Sequence, residues 1–122
     1  MLLLTIVGVE LGGWFLLRVV RGQRPATPFQ LAFFRAGHAH AGVLVVFALV
    51  GQILASAAHI TGILGFFANG IWVAAILMSA GFFLSAAGKD VTQPNRFILV
   101  LYLGAASLAV GVVSLGIGLL SG

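Results

Sequence analysis

Four apolar runs, residues 1–20, 29–57, 60–87 and 96–120, take up most of this chain. Each is close to or above the ~20 residues that a helix needs to cross a hydrocarbon core. Charged residues are only 7% of the chain, against roughly 25% in a soluble domain. Long apolar stretches with so few charges predict an all-α integral membrane protein, an antiparallel bundle of four transmembrane helices in a single domain spanning residues 1–122. The length leaves no room for a soluble domain. The first run lacks a basic leading region and a small-residue cleavage site, so it reads as a span and not as a cleavable signal.

The polar connections carry an order. Arg18, Arg21, Arg24 and Arg35 flank the first, and Lys89, Asp90 and Arg96 flank the third. The second, "ASAAHITG", has no formal charge. In a four-span chain the first and third connections lie on one side. The positive-inside rule then places both in the cytoplasm and both termini outside, as expected for a bacterial cytoplasmic membrane. The net charge of +4 is accounted for by orientation, and nucleic acid is not expected as a partner. Cysteine is absent, which excludes disulfides and thiolate chemistry. In the last run, Gly104, Ser107, Gly111, Ser114 and Gly118 recur at spacings of three and four. They form one small-residue stripe, suited to close packing inside the bundle or between protomers.

Ionisable side chains inside the bilayer cost about 2.5–3.5 kcal/mol each on insertion scales and usually mark function. Here they gather at similar depth. Glu10 lies roughly 16 Å from the cytoplasmic end of the first run, and His38 and His40 roughly 12–15 Å into the second. Ser79 and Tyr102 fall near the same level in the third and fourth. The segment "RAGHAHAG", Arg35 to Gly42, holds most of this chemistry. Two positions apart on a helix is about 200° of rotation, so His38 and His40 point in nearly opposite directions and do not grip one small metal ion together. Arg35 precedes His38 by three residues and shares its side of the helix. A histidine one turn deeper than an arginine suits a ligand with an apolar body and an anionic edge, such as haem: the imidazole binds iron, and the guanidinium holds a propionate. His59, at the uncharged connection, reads as structural. Asn69 reads as an interhelical hydrogen bond or a cavity residue. Trp14 is an interfacial anchor or a packing residue, and the aromatics Phe66, Phe67, Trp72, Phe82 and Phe83 line a flat cavity, fill the bundle or face lipid.

"RAGHAHAG" and, later, "QPNRF" resemble the styrene oxide isomerase family, whose members are small four-span membrane proteins. The likeness covers the second helix and the final third of the chain. It implies a homotrimer with haem b between protomers. It also implies ferric iron on a second-span histidine, acting as a Lewis acid that rearranges an apolar epoxide to an aldehyde. Carried onto this chain, it makes His38 or His40 the iron ligand and places Asn95 and Arg96 as cofactor-binding partners. Taken with the polar layer and the helix face, the candidate catalytic groups are His38, His40 and Tyr102, and Arg35 joins the cofactor-binding partners. The His-x-Gly element favours His40, whereas the helix face of Arg35 favours His38. The family carries an asparagine about two turns after its histidine; here Leu44 to Phe47 are apolar. Apart from the likeness, the polar residues also fit a haem protein for electron transfer or gas sensing, a proton-coupled channel or transporter, or an accessory membrane subunit.

Overall fold

The computed structural model describes residues 2–122, so the Met1 start of the first expected span lies outside it. Among the described residues the chain is helical, with no strand. A 3₁₀ turn, Leu2–Leu4, leads into α1 (Thr5–Val20). There follow α2 (Pro28–Ala57), the short α3 (Gly62–Ala68), α4 (Gly70–Ser85) and α5 (Ile98–Ser121). Leu2–Val20, Pro28–Ala57, Gly62–Ser85 and Ile98–Ser121 are each long and apolar enough to cross a membrane.

The helix ends follow from local chemistry. At α1, Gly22 adopts φ 73°, its N–H donates to the Val19 carbonyl, and the Gln23 N–H donates to the Arg18 carbonyl. This is the left-handed glycine cap that satisfies terminal carbonyls. The α2 end repeats it with His59 in the glycine position, at φ 52°, and with bonds from His59 to Ser56 and from Ile60 to Ala55. His59 therefore terminates a helix at some steric cost. The start of α2 is a capping box: Thr27 Oγ1 accepts from the Gln30 N–H, and Gln30 Oε1 accepts from the Thr27 N–H. The break between α3 and α4 falls at Asn69, whose amide donates to the carbonyls of Gly65 and Phe66 and competes with the helix ladder.

Helices α1, α2, α4 and α5 pack in that order, each on the next, and α3 continues along α5. The central core is Leu44 and Val45 of α2 against Ala74, Ala75 and Met78 of α4. Glycine sets the closest approaches. A Cβ on Gly81 would lie 2.5 Å from the Leu101 backbone nitrogen, and one on Gly111 would lie 2.6 Å from that of Ile71. The Ser107 hydroxyl donates to the Gly70 carbonyl across the same seam. Gly104, Gly111, Ser114 and Gly118 are all buried. The small-residue stripe is thus spent within the bundle, against α4 and Ile60, and is not a surface left over for a neighbouring protomer.

The first and third connections are tied together at one end. Gln30, 3% exposed, donates through Nε2 to the carbonyls of Ala86 and Gly88. Thr27 Oγ1 donates to the Val91 carbonyl.

Two stability measurements check this packing, by thermal unfolding in detergent. Gly81→Ala and Gly111→Ala each destabilise by about 1–3 kcal/mol, because backbone cannot move aside as a flexible side chain can. Gly116→Ala, where a Cβ meets nothing within 4 Å, does not. His59→Gly stabilises by up to about 1 kcal/mol, by relieving a left-handed non-glycine residue.

Candidate functional site

Gly37 is the pivot of the site. It lies on α4 so closely that a Cβ would sit 2.9 Å from the Phe83 ring and 3.0 Å from Phe82 Cβ. This line of contact leaves the next residues of α2 on its two flanks. His38 falls toward α1, where its ring lies over the glycine pair Gly12 and Gly13; a Cβ on Gly13 would be 3.1 Å from His38 Cε1. His40 falls on the other flank, its ring centroid 4.9 Å from that of Phe82. The opposed directions expected from helical rotation are those observed, and a different helix receives each ring.

The two imidazoles differ in hydrogen bonding. His40 Nδ1 is 2.7 Å from the Ala36 carbonyl oxygen, one turn back on the same helix. A carbonyl only accepts, so Nδ1 carries the hydrogen and the neutral ring keeps its lone pair on Nε2. Ligating histidines characteristically have this arrangement, with one ring nitrogen bonded to a carbonyl and the other free for metal. His38 Nδ1 is buried without a partner. A buried polar atom left unpaired costs about 1–3 kcal/mol.

Beside His38 a cavity of about 990 Å³ opens between α1, α2 and α4. His38 and Phe83 line one end, Ser79 lies further along, and Gln52, Asn69 and Trp72 line the other end. There Asn69 Oδ1 accepts from Gln52 Nε2 at 3.0 Å and from the Trp72 indole at 3.1 Å. Asn69 is therefore both an interhelical bond and a cavity residue. The Ser79 hydroxyl donates back to the Ala75 carbonyl.

The remaining candidates lie elsewhere. Glu10 and Tyr102 are exposed on the outside of the bundle, and neither lines the cavity. Arg35 and Arg96 are exposed. Asn95 is occupied in the α4–α5 corner: its amide donates to the Leu84 carbonyl, its backbone N–H donates to the Ser85 carbonyl, and its Oδ1 accepts from the Phe97 N–H. Trp14 faces outward. Phe66, Phe67 and Trp72 are largely exposed, while Phe82 and Phe83 pack against α2.

Two hydrogen-bonded polar side chains, Gln30 and Gln52, escape a reading based on ionisable groups. Gln30 had a local signal, since Thr-x-x-Gln before an apolar run is a capping-box pattern. Gln52 had only its polarity within an apolar stretch, and its partner Asn69 is distant in sequence.

Among the described residues no three His, Cys, Asp or Glu side chains come together to hold a bare metal ion. Haem iron brings its own equatorial nitrogens and asks the protein for an axial imidazole, so one well-presented histidine is a sufficient donor. The Ala36-anchored His40 fits that demand. Comparisons with protein-family models, with curated proteins and with solved structures find no match to this chain.

Asn95→Ala should destabilise the fold by about 0.5–1.5 kcal/mol, because the exposed side-chain bonds to the Leu84 carbonyl and the Phe97 N–H are lost. Thermal unfolding in detergent checks this.

Proposed function

We propose that this chain is an integral membrane protein of four antiparallel spans that binds haem b through His40, and that the reaction it supports is rearrangement of an apolar epoxide to an aldehyde. The observation that carries this reading is the His40 Nδ1–Ala36 carbonyl bond, which leaves Nε2 free to ligate. Resemblance at "RAGHAHAG" and "QPNRF" supplies the reaction class. Ferric haem, when bound, supplies a Lewis acid for the epoxide oxygen. The chain's own contribution is to fix a neutral imidazole in one tautomer, with Phe82 restraining the ring. Arg96 would meet a propionate through a charge-assisted hydrogen bond, whereas Arg35, on the His38 side of α2, would do so only for a haem shared with a neighbouring protomer. His38, whose Nδ1 lacks a partner, is a weaker iron ligand: a ligating Nε2 would leave an Nδ1–H donor buried and unpaired.

Membrane insertion is supported by the outer surface. Leu11, Trp14, Phe47, Phe66, Leu103 and Leu120 are all well exposed, an aggregation surface in water and an ordinary one in lipid. The two basic connections are hydrogen-bonded to each other at one end of the bundle, which supports a cytoplasmic location for both and an outside location for both termini.

The assembly in this reading is a homo-oligomer, a trimer on the family's pattern. Glu10 and Tyr102 support it. They lie on the end helices α1 and α5, within about one turn of the level marked by the Gly13–His38, Gly37–Phe83 and Gly81–Leu101 contacts. Rotation about an axis along the membrane normal preserves depth. It brings the α1 face of one protomer to the α5 face of the next, carboxyl against phenol. That pairing removes the cost of an isolated carboxyl facing lipid. A proton relay through the bundle is not favoured, since Glu10 is turned away from the cavity that holds His38.

Absorbance per folded protein, with haem supplied during expression, tests the ligand. His40→Ala should abolish the Soret band, and His38→Ala should retain it with at most a shift. An unmutated protein that folds but stays colourless overturns the haem reading; loss confined to His38→Ala overturns the choice of ligand. For the assembly, Glu10→Leu and Tyr102→Phe should each weaken the oligomer on dilution in detergent. The double variant should lose little more than the worse single variant; additive losses contradict the pairing.

A further inference from the structure

The cavity on the His38 flank has a shape and chemistry that haem ligation at His40 does not use. We infer that it is a binding site for a neutral single-chain lipid, a long hydrocarbon chain ending in a hydroxyl or carbonyl group, with its polar end at Gln52. The inference rests on the membrane reading and is independent of the haem reading.

Length is the first ground. His38 and Gln52 are fourteen residues apart on α2 (52 − 38), and Asn69 and Phe83 are fourteen apart along α4 (83 − 69), with all four at the cavity wall. At 1.5 Å per residue each pair spans about 21 Å, so the space is long and narrow and runs along the helices. Its volume of about 990 Å³ is at the upper end of the roughly 300–1,000 Å³ of small-molecule pockets.

The second ground is how the space is made. Gly8 and Gly12, one turn apart on α1, line it together with Ala41 and Ala75. Small residues at this spacing usually bring helices into contact. Here a Cβ on Gly8 would meet nothing within 4 Å. The stripe keeps the helices' side chains out of a channel.

The third ground is polarity. No Lys, Arg, Asp or Glu lines the cavity among the described residues, and His38 lies at the other end, so nothing beside Gln52 compensates a charged headgroup. Gln52 does offer neutral hydrogen bonds. One of its amide hydrogens goes to Asn69 Oδ1, leaving a second N–H and the Oε1 acceptor available. The Asn69 side chain is saturated by Gln52, Trp72 and two carbonyls, and so holds Gln52 in place without competing for the ligand. A hydroxyl or carbonyl meets Gln52, and the chain runs toward Phe83 and His38.

Trp72 reports on occupancy, because it lines the same end and is one of only two tryptophans. The Trp14→Phe protein, reconstituted in vesicles of unbrominated phosphatidylcholine, leaves Trp72 as the sole fluorophore, and flotation with the vesicles checks insertion separately. The probe is octadecanol carrying two bromines near its hydroxyl, compared with the matching alkyl sulfate. Saturable quenching by the alcohol is expected, with the sulfate needing at least about tenfold more for the same effect. Gly8→Leu, which places a side chain in open space, should remove the saturable component, whereas Gly116→Leu, equally unobstructed but outside the cavity, should not. Gln52→Leu should raise the half-saturating fraction about tenfold, as expected for loss of a hydrogen bond. Quenching that rises linearly with probe fraction and ignores Gly8→Leu overturns the site. Saturable quenching that is equal for alcohol and sulfate overturns the neutral headgroup.

Discussion

The close approach of α2 to α4 at Gly37 determines everything else about the site. Without a side chain there, the Phe83 ring and Phe82 Cβ lie directly against the α2 backbone. His38 and His40 are then divided between two environments. A larger residue at 37 would lift α2 off α4 and remove the support of both rings. The same device recurs along the α4–α5 seam at Gly70, Gly81, Gly104 and Gly111. In a bilayer, where lipid tails are as apolar as leucine, burial alone does little to join helices, and backbone proximity takes its place.

Much of the fold was legible in the sequence because its signals are long or local. Four apolar runs gave four span-length helices. The ends of those helices have local causes as well, in the Thr27–Gln30 capping box at the start of α2 and in Gly22 at the end of α1. The small-residue stripe on α5 was visible, but its partner was not: spacing along one helix defines a face without naming what meets it. The break at Asn69 was hidden for a related reason. It depends on Asn69 bonding back to Gly65 and Phe66 while Gly70 packs against α5, and that combination exists only once α4 and α5 are together.

The site was legible in depth and less so in direction. Counting residues placed Glu10, His38, His40, Ser79 and Tyr102 near one level, and the helix contacts agree with that ordering. Helical rotation separated His38 from His40. Nothing in the sequence indicated that Glu10 and Tyr102 would face outward, since that depends on which sides of α1 and α5 meet the bundle. Asn95 shows the opposite difficulty. Its motif suggested a cofactor contact, while its hydrogen bonds to Leu84, Ser85 and Phe97 place it in the corner between α4 and α5. A short polar motif beside a helix end satisfies terminal backbone groups as readily as it binds a ligand.

The proposed choice of His40 over His38 as ligand comes down to which ring nitrogen carries the proton. Magic-angle-spinning NMR of the protein with ¹⁵N-labelled histidine in lipid bilayers reads this directly, with His38→Ala and His40→Ala samples assigning the signals. The expected result without haem is a protonated Nδ1 and an unprotonated Nε2 at His40. Added haem should then perturb the His40 Nε2 resonance and leave His38 comparatively unchanged. A His40 protonated at Nε2, or a haem response confined to His38, would contradict the assignment of His40 as the ligand.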